Sequence, residues 1–152
     1  MKLADIVEIF ISGDWGEESI SEETSNAVYC VRGADIVPII NHDFTNIPKR
    51  YICKRSKETK VLQVGDLIIE KSGGSPTQST GRIVYVSEDL IKAKGNIVCS
   101  NFCTAFRVKP EWNPLFIYYY WQNIYNHGAF FNFEGKTSGI KNLQLDNALS
   151  AI

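Results

Sequence analysis

The sequence lacks the features of membrane-spanning and exported proteins. None of its apolar runs reaches the roughly 18 residues that cross a bilayer. The N-terminus has no basic segment followed by an apolar stretch and a cleavage site. These absences predict a soluble, cytoplasmic protein. The 152 residues, of which 44% are hydrophobic and 22% charged, predict one globular domain spanning residues 1 to 152.

Potential metal ligands are few and poorly spaced. The four cysteines are Cys30, Cys53, Cys99 and Cys103, with no C-x-x-C pair among them, and there are only two histidines. In one continuous strand, Cys99 and Cys103 would lie about 13 Å apart, too far for a shared zinc ion or a disulfide. Only a turn at Ser100-Asn101 would bring them closer. The sequence therefore predicts reduced, buried cysteines, with no metal site and no cofactor.

The signatures of common catalytic sites are also missing. There is no G-x-S-x-G motif, and His42 and His127 lie in a polar turn and at a helix stop. The loop that begins Ser72-Gly73-Gly74-Ser75 lacks the lysine and the spacing of a nucleotide-binding loop. A small hydrolase is disfavoured because no base lies near a nucleophile. We therefore expect a protein that is not an enzyme and has no catalytic residues.

Charge is abundant but segregated along the chain. Residues 1 to 48 carry a net charge of -7, residues 49 to 110 carry +7, and residues 111 to 152 carry -1, within an overall net charge of -1. This asymmetry is typical of a protein with one side facing a polyanion, although a merely solvated basic face is the alternative.

The positive charge is densest between residues 49 and 60, where basic side chains alternate with Tyr51, Ile52 and Cys53. Arg107 lies on the basic face of a predicted strand. If the partner is DNA, these cations are the expected phosphate contacts, which set affinity and not sequence choice. The predicted phosphate-contacting residues are Lys49, Arg50, Lys54, Arg55, Lys57, Lys60 and Arg107.

Short apolar runs predict a mixed α/β fold of the α+β kind, built on a curved mixed β-sheet. Its strands are expected near residues 66 to 70, 82 to 87 and 97 to 108. A further strand is expected at Ala27 to Val31. Ile36 to Ile40 is a candidate edge strand because Pro38 interrupts it.

A C-terminal helix is expected to pack on this sheet. Asn113 can cap its free amides, and Pro114 at the first helical position loses no needed hydrogen bond. The helix is expected to end near Asn126. Apolar and aromatic side chains surround it almost completely, which predicts that it is mostly buried. Core or partner packing is favoured for these aromatics over stacking on bases.

Two polar loops hold glycines at their hinges. Residues 72 to 81 include no large apolar side chain, and residues 135 to 139 have similar chemistry. Gln can bind adenine, Arg and Lys can bind guanine, and Ser and Thr can bind either. A solvated loop without a partner is the alternative. The predicted base-reading residues are Lys71, Ser72, Ser75, Thr77, Gln78, Ser79, Thr80 and Arg82, assisted by Lys136, Thr137 and Ser138.

Six motifs in order carry a family resemblance over nearly the whole chain. They are Leu3 to Ile9 leading to the glycine loop at Gly13, Val31 to Ile36, Gly65 to Glu70 followed by Ser-Gly-Gly, Asn101 to Val108, the Leu115 to Tyr125 helix, and Gly135 to Leu143. In this order they resemble the target recognition domain of the DNA specificity subunit of type I restriction-modification systems. Asp14-Trp15-Gly16 departs from the Thr-Pro-Ser that this family often has after the glycine.

The resemblance implies sequence-specific binding of double-stranded DNA at one half of a split target. It implies a subunit with two such domains, separated by long helices that also hold the methyltransferase (modification) subunits of a complex with a restriction subunit. By this comparison the chain lacks the following spacer helix and the second recognition domain.

Two alternatives stay open. The chain also resembles the recognition part of a single-chain restriction-modification enzyme. From a different class, a carbohydrate or peptide binding module could use Trp15, Trp112 and the tyrosines as a platform. Such a module should bind independently of salt, whereas a phosphate-contacting protein loses affinity steeply as salt rises.

Overall fold

The fold is known from a computed structural model, which describes residues 1 to 73, 75, 77 to 137 and 140 to 152, without the side chains of Lys136 and Thr137. The strands are β1 (Val7–Ser12), β2 (Asn26–Val31), β3 (Lys49–Ile52), β4 (Leu67–Glu70), β5 (Ser72–Gly73), β6 (Ile83–Tyr85), β7 (Ile97–Cys99), β8 (Cys103–Val108), β9 (Glu134–Thr137) and β10 (Ile140–Leu143). The helices are α1 (Ile36–Ile40), α2 (Lys54–Lys60), α3 (Glu88–Lys94), α4 (Pro114–Asn126) and α5 (Leu145–Ala151). Short 3-10 turns span Leu3–Ile6, Gly33–Asp35 and Ala129–Phe133. Among the described residues, no helix is long and apolar enough to cross a membrane.

The mixed α/β class is confirmed, but the strands form three sheets instead of one curved sheet. The first sheet is antiparallel, with the order β1-β8-β4-β6. The second has the order β3-β2-β7, and its β2 and β7 run parallel. The third, β5-β10-β9, is small and antiparallel. The strands predicted near residues 66 to 70 and 82 to 87 are confirmed as neighbours in the first sheet.

Both faces of the first sheet are covered. Successive side chains of a strand point to opposite faces, so Leu67 and Ile69 join one hydrophobic cluster and Ile68 joins another. The first cluster includes Trp121 of α4 and Leu149 of α5, whereas the second includes residues of α1, α3 and the second sheet. Coverage on both sides explains why β4 is an uninterrupted apolar run that ends in Glu70.

The prediction of one strand from residue 97 to residue 108 was wrong. β7 and β8 belong to different sheets, and the chain turns between them, where the Cys103 amide donates to the Ser100 carbonyl at 3.0 Å. Gly13 makes this turn possible because a Cβ atom there would come within 1.9 Å of the Ser100 oxygen. Because apolar residues flank Ser100-Asn101 on both sides, the sequence resembles one continuous strand. The close approach of Gly13 to Ser100 distinguishes two strands joined by a turn from such a strand.

The predicted edge strand at Ile36 to Ile40 is also wrong, since these residues form α1. The Asp35 carboxylate accepts a hydrogen bond from the Arg32 amide at 2.8 Å, which stabilises the 3-10 turn that leads into the helix. Pro38 is the third helical residue, where a backbone amide would have no partner within the helix. The proline is therefore compatible with a helix start as well as with a strand edge.

The helix predicted to start at Pro114 is α4, and it begins as predicted. The Asn113 side chain accepts a hydrogen bond from the Leu115 amide at 2.9 Å. Its inner side is buried through Ile117, Tyr118 and Trp121. The expectation that the whole helix is mostly buried was wrong, because Phe116 and Tyr119 are 60% and 64% exposed. The sheet covers only one side of α4, and no part of the described chain covers the other.

Candidate nucleic-acid interface

The third sheet joins the two polar loops, residues 72 to 81 and 135 to 139, which are distant in the sequence. β5, at the start of the first loop, pairs with β10, and β10 pairs with β9. The Ser72 hydroxyl donates to the Asn142 side chain at 2.7 Å across this sheet. Ser138 and the side chains of Lys136 and Thr137 lie outside the described residues, so their predicted role in base reading stays a prediction. The backbone geometry nevertheless brings the two loops together.

A buried ion pair between Lys141 and Glu134 anchors the first polar loop, residues 72 to 81. The Lys141 ammonium lies 3.2 Å from the Glu134 carboxylate and also donates to the carbonyl of Ser75. The Glu134 carboxylate in turn accepts hydrogen bonds from the amide and the hydroxyl of Thr80, at 2.7 and 3.3 Å. Both charged side chains are at most 10% exposed. Charge-assisted bonds in a dry site are strong, so the loop is anchored at both ends.

The predicted base-reading side chains differ in their access to solvent. Thr77 and Gln78 are exposed at the tip of the loop, and Lys71, Ser72 and Ser75 are half-buried. Two others, Ser79 and Thr80, are only 2% and 0% exposed. Because burial keeps these two side chains from the surface, Ser79 and Thr80 are not placed to contact a base, contrary to the prediction.

Arg82 is committed to an internal ion pair. Its guanidinium donates to the buried Glu70 carboxylate at 2.6 and 3.1 Å, and to the Gly33 carbonyl at 3.2 Å. The hydrogen bond to Glu70 is also the main cause that raises the pKa of Arg82. Gly33 and Gly73 make room for this pair, since a Cβ atom at either position would lie 3.0 to 3.1 Å from Glu70 Oε2. Arg82 therefore has a structural role whether or not it contacts a base.

A cleft of about 520 Å³ opens above this ion pair. One border is the first polar loop, with Ser72, Gly73 and Gln78, and another is the turn of residues 100 to 102. Trp15 and Arg32 line it as well. Reasoning from the sequence did not assign Arg32, Ser100, Asn101 or Phe102 to a site. The polar pair Ser100-Asn101 inside an apolar run was the signal that could have indicated them.

The predicted phosphate contacts on β3 and α2 form a basic surface, defined here as Lys49, Lys54, Arg55 and Lys57 with Arg50 and Lys60 at its border. The first four are exposed, and none of them is in an ion pair with any described residue. Lys60 is half-buried and donates to the Gly13 carbonyl at 3.3 Å. Six of the seven predicted cations therefore lie on the consecutive elements β3 and α2.

Arg50 connects the basic surface to the cleft. Its guanidinium lies 4.0 Å from the centre of the Trp15 ring, and its Nε donates to the Trp15 carbonyl at 2.9 Å. Arg107, the seventh predicted cation, lies in the first sheet and donates to the buried Asp66 carboxylate at 2.8 and 2.9 Å. That hydrogen bond raises the pKa of Arg107, and its charge is compensated internally. We therefore do not assign Arg107 to the basic surface.

Three of the four cysteines are buried, and all four are free thiols. Burial raises the pKa of Cys30 to about 12 and that of Cys103 to about 11, and it also raises the pKa of Cys99. The Ser100 hydroxyl opposes this effect at Cys103. In the part of the chain that the structure describes, no group of three or more His, Cys, Asp or Glu side chains could hold a metal ion.

Cys53 differs from the other cysteines because it caps α2 at the edge of the basic surface. Hydrogen bonds with the Ser56 hydroxyl and amide lower the pKa of its half-buried thiol. A thiol must ionise to react. At pH 8 we therefore expect a thiol-disulfide exchange reagent to modify one cysteine rapidly in the folded protein and all four after unfolding in urea. A Cys53→Ser variant should lose the rapid phase, and a rapid phase that persists in it would contradict the assignment.

Comparison with known proteins adds no assignment to this geometry: no protein-family model and no curated protein matches the chain.

Proposed function

We propose that this chain is a non-catalytic specificity domain that binds double-stranded DNA and reads one half of a split target for a type I restriction-modification complex. The observation that carries the proposal is the adjacency of the basic surface and the cleft, which Arg50 joins through Trp15. A duplex whose backbone lies on the basic surface would present base edges to the loop that borders the cleft. Methyl transfer and cleavage would belong to partner subunits.

Phosphate binding is supported by the uncompensated charge of the basic surface. Lys49, Lys54, Arg55 and Lys57 are exposed, and no described carboxylate pairs with them. Each cation that contacts a phosphate releases counterions from DNA, so affinity must fall as salt rises. The net charge of -1 does not oppose this, because the acidic residues are concentrated in the first 48 positions.

Base reading is supported by the anchoring of Ser75 and Thr80 and by the chemistry of the exposed residues of the loop at the cleft. The exposed Thr77 and Gln78 can donate and accept hydrogen bonds, and the Gln78 amide bonds to the Ser75 hydroxyl at 3.1 Å. Anchoring by Glu134 and Lys141 reduces the conformational entropy that the loop would lose on binding. A glutamine amide can make two hydrogen bonds to adenine in the major groove.

Assembly with a modification subunit is supported by the uncovered side of α4. Leu115, Phe116, Tyr119 and Tyr120 are between 40% and 64% exposed there, and α4 contains no charged residue. Contiguous exposed apolar surface is typical of protein interfaces, in which aromatic residues are enriched. The partner is inferred from the family resemblance, whereas the surface comes from the fold.

The salt dependence of binding tests the phosphate contacts. Replacing Lys54 and Lys57 with glutamine should weaken binding to all duplexes alike and flatten the slope of log affinity against log salt by about 0.9 for each lost contact. Fluorescence anisotropy with a mixed-sequence duplex measures this slope. Lys92→Gln is the control, because the Lys92 ammonium is exposed and already lies 3.1 Å from Glu88. Salt-independent binding of the unmodified protein would contradict the proposal and favour a carbohydrate or peptide module.

Methylome sequencing of cells that carry the intact gene and its partner subunits tests the function itself. We expect one methylated split motif, and a Gln78→Ala variant should relax or change that motif at one base pair in one half only. The Gln122→Ala variant is the control, since the Gln122 side chain bonds to Tyr118 within α4 at 2.8 Å. An identical motif with Gln78→Ala would exclude Gln78 from base reading, and the absence of any dependent motif would contradict the proposed function.

A further inference from the structure

We propose that the cleft between Trp15, Gln78 and Phe102 holds a single nucleobase turned out of the DNA stack, and that Phe102 is the wedge that separates this base from its neighbours. The inference rests on the proposed DNA binding and adds a ligand class and a mechanism to it. Three observations carry it: the size of the cleft, the unused hydrogen-bonding capacity of its polar groups and the exposure of Phe102.

The cleft has the size and the walls that a base requires. Its volume of about 520 Å³ falls within the range typical of sites for small organic ligands. Trp15 and Phe102 contribute aromatic surface to the lining, and Gly33 and Gly73 contribute bare backbone. An unstacked base loses aromatic contacts in the duplex, and stacking on protein aromatics compensates for that loss.

Several polar groups of the cleft have unused hydrogen-bonding capacity. The Ser100 hydroxyl is the clearest case: the residue is 4% exposed, and no hydrogen bond of good geometry to this hydroxyl is present among the described residues. The Cys103 thiol lies close enough for the Ser100 hydroxyl to lower its pKa, but sulfur is a weak hydrogen-bonding group. A buried hydroxyl without a strong partner is costly, and because Ser100 lines the cleft, a rotation of its side chain would let a ligand atom satisfy it.

Asn101 and Gln78 add amide groups to the same cleft. The Asn101 side chain accepts a hydrogen bond from the Trp15 amide at 3.0 Å, which orients its NH2 group without using it. The exposed Gln78 side chain makes no hydrogen bond within the described residues. Carboxamides are suited to the edge of a base, where a donor and an acceptor lie side by side. The donor set therefore favours a base over a bare phosphate.

Phe102 has the placement of a wedge. It is 60% exposed at the mouth of the cleft, although a large aromatic side chain gains nothing from contact with water. Its carbonyl accepts hydrogen bonds from the amides of Lys71 and Ser72, at 2.9 and 3.1 Å, so the turn that carries it is held firmly. Apolar side chains on firm supports are what DNA-bending proteins insert between base steps.

Duplexes with 2-aminopurine, whose emission rises when it leaves the stack, test the inference. After a bound duplex has been selected from a random pool with the full chain, 2-aminopurine is placed at each position in turn. We expect a several-fold rise in emission at one position on binding. A mismatch or an abasic site there should strengthen binding by roughly tenfold, because the cost of unstacking is already met. Phe102→Ala should abolish both effects.

Phe10→Ala is the matched control, since Phe10 is an exposed phenylalanine, 48% accessible, but lies on β1 and does not line the cleft. It should leave both effects unchanged. Binding without an emission rise at any position, or a rise that Phe102→Ala retains, would overturn the inference and leave the proposed function intact. Failure to bind any duplex would overturn the proposed function and the inference together. Ser100→Ala, which preserves the turn, should reduce the emission rise without weakening binding to undistorted duplexes of other sequence.

Discussion

Replacing Trp121 with alanine is expected to lower the free energy of unfolding by about 4 kcal/mol. Trp121 is completely buried in α4, its ring stacks on Phe130 at 4.6 Å, and it packs against Phe106 of the first sheet. Removal of so large a side chain from a filled core leaves a cavity in addition to the lost transfer free energy. Urea denaturation followed by circular dichroism measures the change.

Loss of Trp121 should also affect the candidate site. The indole Nε1 donates to the carbonyl of Gly81 at 2.7 Å, at the end of the polar loop. Gly81 itself has a φ of +103°, and a Cβ atom there would lie 3.2 Å from the Phe130 ring. In a Trp121→Phe variant most of the packing survives but the Gly81 carbonyl loses its donor, which costs about 1 to 3 kcal/mol. Comparing the two variants separates packing from hydrogen bonding.

Tyr119→Ala is the control for both substitutions, because Tyr119 lies in the same helix but is 64% exposed. Its unfolding free energy should change by less than about 1 kcal/mol. An equal loss in the Tyr119 and Trp121 variants would mean that helix propensity, not core packing, determines the stability of α4.

Replacing Glu70 with glutamine is expected to cost about 3 kcal/mol of stability. The Glu70 side chain is 3% exposed, and Arg82 is 20% exposed. Neutralising the carboxylate leaves a largely buried guanidinium without its counter-charge, which is less favourable than lacking the pair altogether. The same change should loosen the floor of the cleft, since Arg82 also holds the Gly33 carbonyl.

A double variant with Glu70→Gln and Arg82→Gln distinguishes this cause from a simple loss of packing. It should recover part of the lost stability, because no unpaired buried charge remains. Glu88→Gln is the control at an exposed ion pair, where both side chains are about 70% exposed and the expected change is under about 0.5 kcal/mol. Similar losses at Glu70 and Glu88 would contradict the argument.

Local signals in the sequence determined a large part of the fold. The start of α4 is determined by the capping side chain of Asn113 and by Pro114, and both act within four residues of the helix terminus. The strands around Leu67 to Ile69 and Ile83 to Tyr85 follow from their apolar composition alone. The basic surface was likewise predictable in outline, because its residues are consecutive and charge is a property of the residue type.

The tertiary structure decided which polar residues could serve the site. Arg82 and Arg107 look identical to the cations of α2 in the sequence, yet each is bound by a buried carboxylate, from Glu70 and Asp66 respectively. Ser79 and Thr80 belong to a polar loop by composition but face inward. These ion pairs and hydrogen bonds join residues that are 12 to 54 positions apart, and the short-range periodicity of the sequence carries no information about them.

The cleft is also a product of tertiary structure. Trp15, Gln78 and Phe102 come from three separate loops, and their meeting depends on the close contact of Gly13 with the Ser100 carbonyl. The sequence by itself therefore determined the start of α4, the strands β4 and β6 and the location of positive charge, since these depend on neighbouring residues. Long-range packing determined which side chains remain free and where they converge, since burial and ion pairing exist only once distant segments are in contact.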